Sequence, residues 1–177
     1  MSVSFKGNKV TLSGSELKIG DNAPVVEVVG KDLSSVKVGG QSDKIQIIAA
    51  VPSLDTGVCA TETRKFNQSV AGNDKVRLTV ISMDLPFAMG RFCSTEGIEN
   101  LTVASDFRNR EFGEKYGILM KDGALAGLLA RAIFVVGKDG KLLHVELVSE
   151  VTSEPDYEAI KKVVAENGCC TSCCCNA

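Results

Sequence analysis

The chain has 177 residues, 44% of them hydrophobic and 24% charged, with a formal net charge of −2 at pH 7. A single domain of that length buries most of its unfolded surface without metal or disulfide staples. Lys and Arg total 20 against 22 Asp and Glu and form no long run, which excludes the basic footprint of a nucleic-acid binder.

At the N-terminus, "VSFKGNKVTL" alternates apolar and polar residues on both sides of Gly7-Asn8 and predicts a β-hairpin with a tight turn. Met1 is followed by "SVSFKGN", with neither a basic region nor an apolar signal core, so a cytoplasmic protein is expected. After Ala23-Pro24, Val25 to Val29 reads as a short strand. "IQIIAAV" (Ile45 to Val51) is almost continuously apolar, as a central parallel strand covered on both faces would be, and is too short to cross a membrane.

From Cys59 the period changes. Cys59, Thr63, Phe66 and Val70 recur at helical spacing and share one face up to Gly72, while charged Glu62, Arg64 and Lys65 are assigned to other faces. Val76 to Ser82 alternates as a strand, Pro86 to Cys93 reads as a turn entering a short helix, and Arg108 to Gly117 as another short helix. "ARAIFVV" and "LLHVELV" flank Gly137-Lys138-Asp139-Gly140, a hairpin signal. The last helix runs from about Pro155 to Glu166, capped by Ser153, with Tyr157, Ile160, Val163 and Val164 as its buried stripe. The fold class is therefore α/β: a central mixed β-sheet flanked by helices, with an N-terminal β-hairpin, compatible with a thioredoxin-like fold. Residues 1–168 form the domain and 169–177 a cysteine-rich tail expected to be disordered.

Seven cysteines divide into two groups: Cys59 and Cys93 in the body, and five in the last nine residues. This is not the spread of a secreted disulfide scaffold, and in a reducing compartment the body pair is catalytic or simply buried. A thiol attacks as the thiolate, and an ordinary pKa of about 8.5 leaves only a few per cent ionised at neutrality. The first turn of a helix offers unpaired N–H groups and the positive end of the dipole, which favour the anion, and a guanidinium adds a full charge. The lone histidine, His144, alternates with Leu143, Val145 and Leu147, which puts it on the wetter face of a strand and argues against a cysteine protease. A disulfide reductase of the Cys-x-x-Cys type is weakened because Glu62 stands where its second cysteine would be.

"PSLDTGVC" (Pro52 to Cys59) matches the peroxiredoxin active-site pattern, with Thr56 between the proline and the cysteine. Together with "PSLDTGVCATETRKFN", "DLPFAMGRFC", "FRNREFGEKYG", "LLARAIFVV" and "TSEPDYEAI", it closely resembles the bacterial thiol peroxidases, the atypical two-cysteine peroxiredoxins, over Met1 to Gly168. The resemblance implies a thioredoxin fold, with Cys59 as peroxidatic and Cys93 as resolving cysteine and Pro52, Thr56 and Arg131 completing the site. It also implies a hydroperoxide substrate, thioredoxin as reductant, a homodimer, and no metal, haem or flavin cofactor. Taken singly, Pro52 and Thr56 would be turn and capping residues, Arg131 an exposed strand charge and Cys93 a small buried hydrophobe. Leu85, Phe87, Met89 and Phe92 either line an entrance suited to organic hydroperoxides or pack in the core.

"CCTSCCCNA" departs from the family pattern. Cys169, Cys170, Cys173 and Cys174 have a spacing that could ligate a soft metal ion such as zinc, although no second ligating segment is evident; the tail could equally be a disordered appendage. It carries the alternative reading, a redox-sensing or metal-binding interaction protein.

Overall fold

The computed structural model of the protein describes residues 1–69 and 73–168. In chain order its first elements are β1 (Ser2–Phe5), β2 (Asn8–Ser13), β3 (Val26–Gly30), β4 (Ser35–Val38), β5 (Ile45–Ala50), α1 (Gly57–Ser69) and β6 (Val76–Ser82). They are followed by α2 (Pro86–Glu96), β7 (Thr102–Ser105), α3 (Glu111–Lys115), β8 (Leu119–Met120), β9 (Ala132–Val136), β10 (Leu142–Leu147) and α4 (Tyr157–Gly168).

β5 is buried at every position because it lies inside a seven-stranded sheet of order β10-β9-β5-β6-β7-β3-β4. It pairs parallel with β6, from Ile45 opposite Val76 to Ala50 opposite Ile81, and antiparallel with β9, where Ala50 faces Ala132. Its alternate residues feed two cores. Ile45, Ile47 and Ala49 pack with Cys59, Phe66, Met89, Cys93 and Ile160 of α1, α2 and α4. Ile48 and Ala50 pack with Phe112 and Tyr116 and with residues of a second, three-stranded sheet of order β1-β2-β8. The strand β6, which alternates in sequence, is covered on both faces for the same reason.

Several local expectations shift. The N-terminal hairpin turns at Lys6 and Gly7 rather than Gly7-Asn8: both take positive φ (50° and 79°), as a two-residue turn between twisted strands requires, and Asn8 already belongs to β2. The stretch from Pro86 holds no turn of its own, because Pro86 is already the first residue of α2 and Leu85 its extended N-cap. The helix α3 is short because Arg110 is left-handed (φ 56°), and the Asp106 carboxylate takes the N–H groups of Phe112 and Gly113. Asp156, not Ser153, caps α4, its Oδ1 accepting from the N–H groups of Glu158 and Ala159 at 3.1 Å each. In the α4 stripe Ile160 is buried, and Tyr157, Val163 and Val164 are half-buried against the same core as Cys59.

A bulge between Leu142 and His144 sets the register of β10 against β9, so that His144 faces Val135 and Glu146 faces Ile133. The imidazole is consequently half-buried rather than on a wet face, with 17% of its side chain exposed. The expected positions of Val70 and Gly72 lie outside the described residues. Among the described residues no helix is long and apolar enough to cross a membrane.

Candidate active site

The loop after β5 runs through buried Pro52 and exposed Thr56 into α1. The Ala60 N–H donates to the Thr56 carbonyl at 2.9 Å, the first bond of the helix, so the N–H groups of Gly57, Val58 and Cys59 precede the ladder. Cys59 thus lies in the first turn, where dipole and free donors favour an anion. Its side chain is fully buried. The Thr56 hydroxyl is two-faced chemistry held in place, since it donates to the Ser53 carbonyl at 3.2 Å and keeps its lone pairs for a ligand.

Arg131 immediately precedes β9 and shares the face of Ile133 and Val135, and the Ala50–Ala132 pairing brings it beside the β5 end from which the Cys59 loop departs. It is 1% exposed, not a surface charge. Nη2 donates to Cys59 Sγ at 3.2 Å, Nε donates to the Val151 carbonyl at 3.1 Å, and Nη1 is ion-paired with Glu62 Oε2. Guanidinium and sulfur therefore meet directly in a dry setting, where a charge-assisted bond is strong.

Glu62 corrects the sequence reading. Instead of pointing away with Arg64 and Lys65 it is fully buried on the Cys59 face. The reason is helical geometry: position 62 follows position 59 by three and precedes Phe66 by four, so it shares their stripe, and Arg131 supplies the countercharge. Burial pushes its carboxyl up to about 7 against the pull of Arg131, with Glu154 and Glu146 adding to the rise. Its Oε1 has no hydrogen-bond partner among the described residues. For Arg131, burial acts downward, but the charges of Glu62 and Cys59 outweigh it and leave the guanidinium above its ordinary value.

Cys93 sits on α2, buried in the same apolar cluster as Cys59, and both thiols are free. Burial pushes the Cys93 thiol up, partly offset by Lys31. The helix ends at Gly97, in the left-handed conformation (φ 65°), whose N–H donates to the Cys93 carbonyl. Of the apolar residues around α2, Met89 is core, Phe92 is half-buried, and Leu85 and Phe87 are 52% and 72% exposed. His144 stands apart, its Nε2 lying 3.7 Å from Glu146 Oε2. Among the described residues no group of three or more His, Cys, Asp or Glu could hold a metal ion. Cys169, Cys170, Cys173 and Cys174 fall outside them.

A cysteine at a helix start, held by a buried arginine, is built for nucleophilic redox chemistry. The redoxin family model matches residues 18–161. The thiol peroxidase of Campylobacter jejuni is 55% identical over 174 residues, covering 98% of each chain, a span that reaches past Gly168 into the cysteine-rich segment. The thiol peroxidase of Aquifex aeolicus is 56% identical over 164 residues, 93% of this chain and 96% of its own. Among solved structures, a peroxiredoxin-like protein from Aquifex aeolicus superposes with a TM-score of 0.91 at 56% identity, over 93% of this chain and 96% of that one. At 21% identity, the thiol peroxidase of Chromobacterium violaceum shares the fold with a TM-score of 0.86 over 95% of this chain and 97% of its own. The chain belongs to the redoxin family and, within it, to the thiol peroxidases.

Proposed function

We propose that this thiol peroxidase reduces hydrogen peroxide and organic hydroperoxides through a two-cysteine cycle that serves antioxidant defence. The observation that carries the reading is the 3.2 Å contact of Arg131 Nη2 with the buried Cys59 sulfur in the first turn of α1. The thiolate attacks the terminal oxygen of ROOH; the S–O bond forms, the O–O bond breaks, and the two-electron oxidation of sulfur is matched by release of ROH after proton uptake. Arg131 stabilises both the thiolate and the charge passing to the leaving oxygen. Thr56 is placed at the helix start to bond the peroxide and align its O–O axis, and Pro52, which has no N–H, shields the sulfur from water.

The Cys93 thiol then attacks the Cys59 sulfenic acid; an S–S bond forms, the S–O bond breaks and water leaves. A disulfide requires Cα atoms within about 7 Å, and Cys59 and Cys93 stand as free thiols on two separate intact helices. We read local opening of the Cys59 helix start or of the α2 end as part of the cycle, a motion that also lifts Cys93 out of the burial that pushes its thiol up. A dithiol reductant, thioredoxin, restores both thiols by exchange. The working form is read as a cytoplasmic homodimer. We read the exposed Leu85 and Phe87 at the start of α2 as an apolar entrance that suits organic hydroperoxides, which a comparison of cumene hydroperoxide with hydrogen peroxide tests.

Stopped-flow oxidation with mass analysis tests the cycle. Cys59→Ser is expected to abolish peroxide consumption, and Cys93→Ser to complete one turnover and stall as sulfenic acid. Continued cycling of Cys59→Ser with thioredoxin refutes the assignment.

A further inference from the structure

Asp84 lies in the connection between β6 and α2, two positions before Pro86. Its carboxylate accepts hydrogen bonds from two separate segments. Ser53 Oγ donates to Oδ1 at 2.8 Å and the Leu54 N–H to Oδ2 at 2.7 Å, both from the loop that leads into α1. Ser82 Oγ, at the end of β6, donates to Oδ2 at 2.7 Å. The Asp84 N–H returns a bond to Ser82 Oγ at 3.2 Å, and its carbonyl accepts from Ser105 Oγ at the end of β7. An ionised acceptor with hydroxyl and N–H donors belongs to the stronger class of hydrogen bonds.

The bonds reach the chemistry on both sides. Ser53, held by its hydroxyl, offers its carbonyl to Thr56 Oγ1 at 3.2 Å, so the orientation of the threonine beside the Cys59 helix start depends on where Asp84 holds the loop. Leu54, held by its N–H, is 2% exposed in the apolar cluster that contains both cysteines. In the other direction Asp84 is the root of α2, the helix that bears Cys93.

We propose that Asp84 is a positioning residue that keeps the Cys59 loop in its peroxide-reactive form and, by tying that loop to the root of α2, slows closure of the Cys59–Cys93 disulfide. The second half rests on the two-cysteine cycle argued above. The two effects oppose each other: a firm clasp speeds attack on the first peroxide and prolongs the life of the sulfenic acid. During that interval a second hydroperoxide can transfer its oxygen to the sulfenic sulfur, forming a second S–O bond, breaking the O–O bond and releasing ROH, which leaves an unresolvable sulfinic acid. Asp84 thus sets the balance between reactivity and peroxide inactivation.

Asp84→Asn removes the charge and reverses the Ser53 bond, since its Oδ1 can take only the Leu54 and Ser82 donors that share Oδ2 now and its Nδ2 must donate to Ser53 Oγ, so the clasp falls to neutral strength. In rapid-mixing experiments the variant is expected to form sulfenic acid about tenfold more slowly, as misplacement of a positioned group implies, and to close the disulfide several-fold faster. Its yield of sulfinic acid at high peroxide falls accordingly. Ser53→Ala, which keeps the charge and removes one bond, should move both rates in the same directions by less, and carries the test if Asp84→Asn fails to fold. Opposite movement of the two steps is the signature that simple destabilisation does not produce. Two unchanged rates, or two that fall together, overturn the proposal. If the native chain oxidises at Cys59 but never bridges to Cys93, the cycle and the closure half fail together, and the first-step rate of Asp84→Asn in a Cys93→Ser background decides the positioning half.

Discussion

Arg131 donates to the Cys59 sulfur through Nη2 at 3.2 Å, and the same guanidinium is closed on its other side by the buried carboxylate of Glu62. Under the proposed function the pair has two separable jobs, balancing charge in the core and serving the Cys59 sulfur as it reacts. Arg131→Met leaves Glu62 buried without its countercharge and is expected to cost about 3–5 kcal/mol of stability. It should also slow oxidation of Cys59 by about 10²–10³-fold, the range for loss of a preorganised cationic donor. Adding Glu62→Gln to Arg131→Met should recover much of the stability and none of the rate. Urea unfolding and stopped-flow oxidation check the two readouts; a double variant that regains the rate removes Arg131 from the chemistry.

The carboxyl of Glu62 also gives stability a pH dependence of definite sign. Burial, opposed by Arg131, raises it from an ordinary 4.5 to about 7 in the folded state. Between those values the folded protein binds a proton that the unfolded chain has released. The contribution of Glu62 is therefore greatest near the lower value and is lost as pH rises through the upper one, at up to about 1.4 kcal/mol per pH unit. Glu62→Gln has no such proton and should lack that part of the slope. Urea midpoints between pH 5 and 8 would show it, and parallel pH profiles for the two proteins contradict it.

What could be read from the chain follows the range over which each signal is local. β5 was legible because a continuous apolar run has few alternatives, and Pro52, Thr56 and Cys59 could be grouped through the family resemblance because the pattern that carries it is contiguous, in one loop and one helical turn. Glu62 was within reach, since the spacing that joined Cys59, Thr63 and Phe66 also includes position 62. Its charge argued for solvent, and the partner that reverses that argument lies 69 residues away. Asp84 has a local partner in Ser82 but no local sign of the clasp, because the loop donors that give it meaning stand 30 and 31 residues earlier in the chain. The two-residue β8 is defined by its pairing with the distant β2, and no pattern so short can announce itself.

His144 tests whether the thiol is activated without an imidazole. It lies on β10 with Nε2 directed at Glu146, and no hydrogen bond links it to Cys59 among the described residues. His144→Gln is expected to oxidise at the native rate with the native pH profile. A loss of more than about tenfold in a folded variant would restore the imidazole as a general base and diminish the role of Arg131.

Gly97 offers a way to perturb the proposed resolving step. It caps α2 in the left-handed conformation, and both its N–H and that of Ile98 converge on the Cys93 carbonyl, the latter at 3.0 Å. A Cβ added there meets no atom within 4 Å, so Gly97→Ala acts through backbone strain and not through a clash. The left-handed penalty for alanine is about 1 kcal/mol and falls on the turn that holds Cys93 in its helix. If that turn must open for Cys93 to reach the sulfenic acid, the substitution removes part of the opening cost, and disulfide closure should quicken by up to about fivefold, the equivalent of 1 kcal/mol. Sulfenic acid formation should be little affected, because the bond from Gly97 to the Cys59 helix, its carbonyl accepting from Asn67 Nδ2 at 3.4 Å, lies about two turns past Cys59. Rapid quenching with thiol counting separates the two steps. A variant that loses about 1 kcal/mol of stability yet closes its disulfide at the native rate locates the required motion at the start of α1 instead.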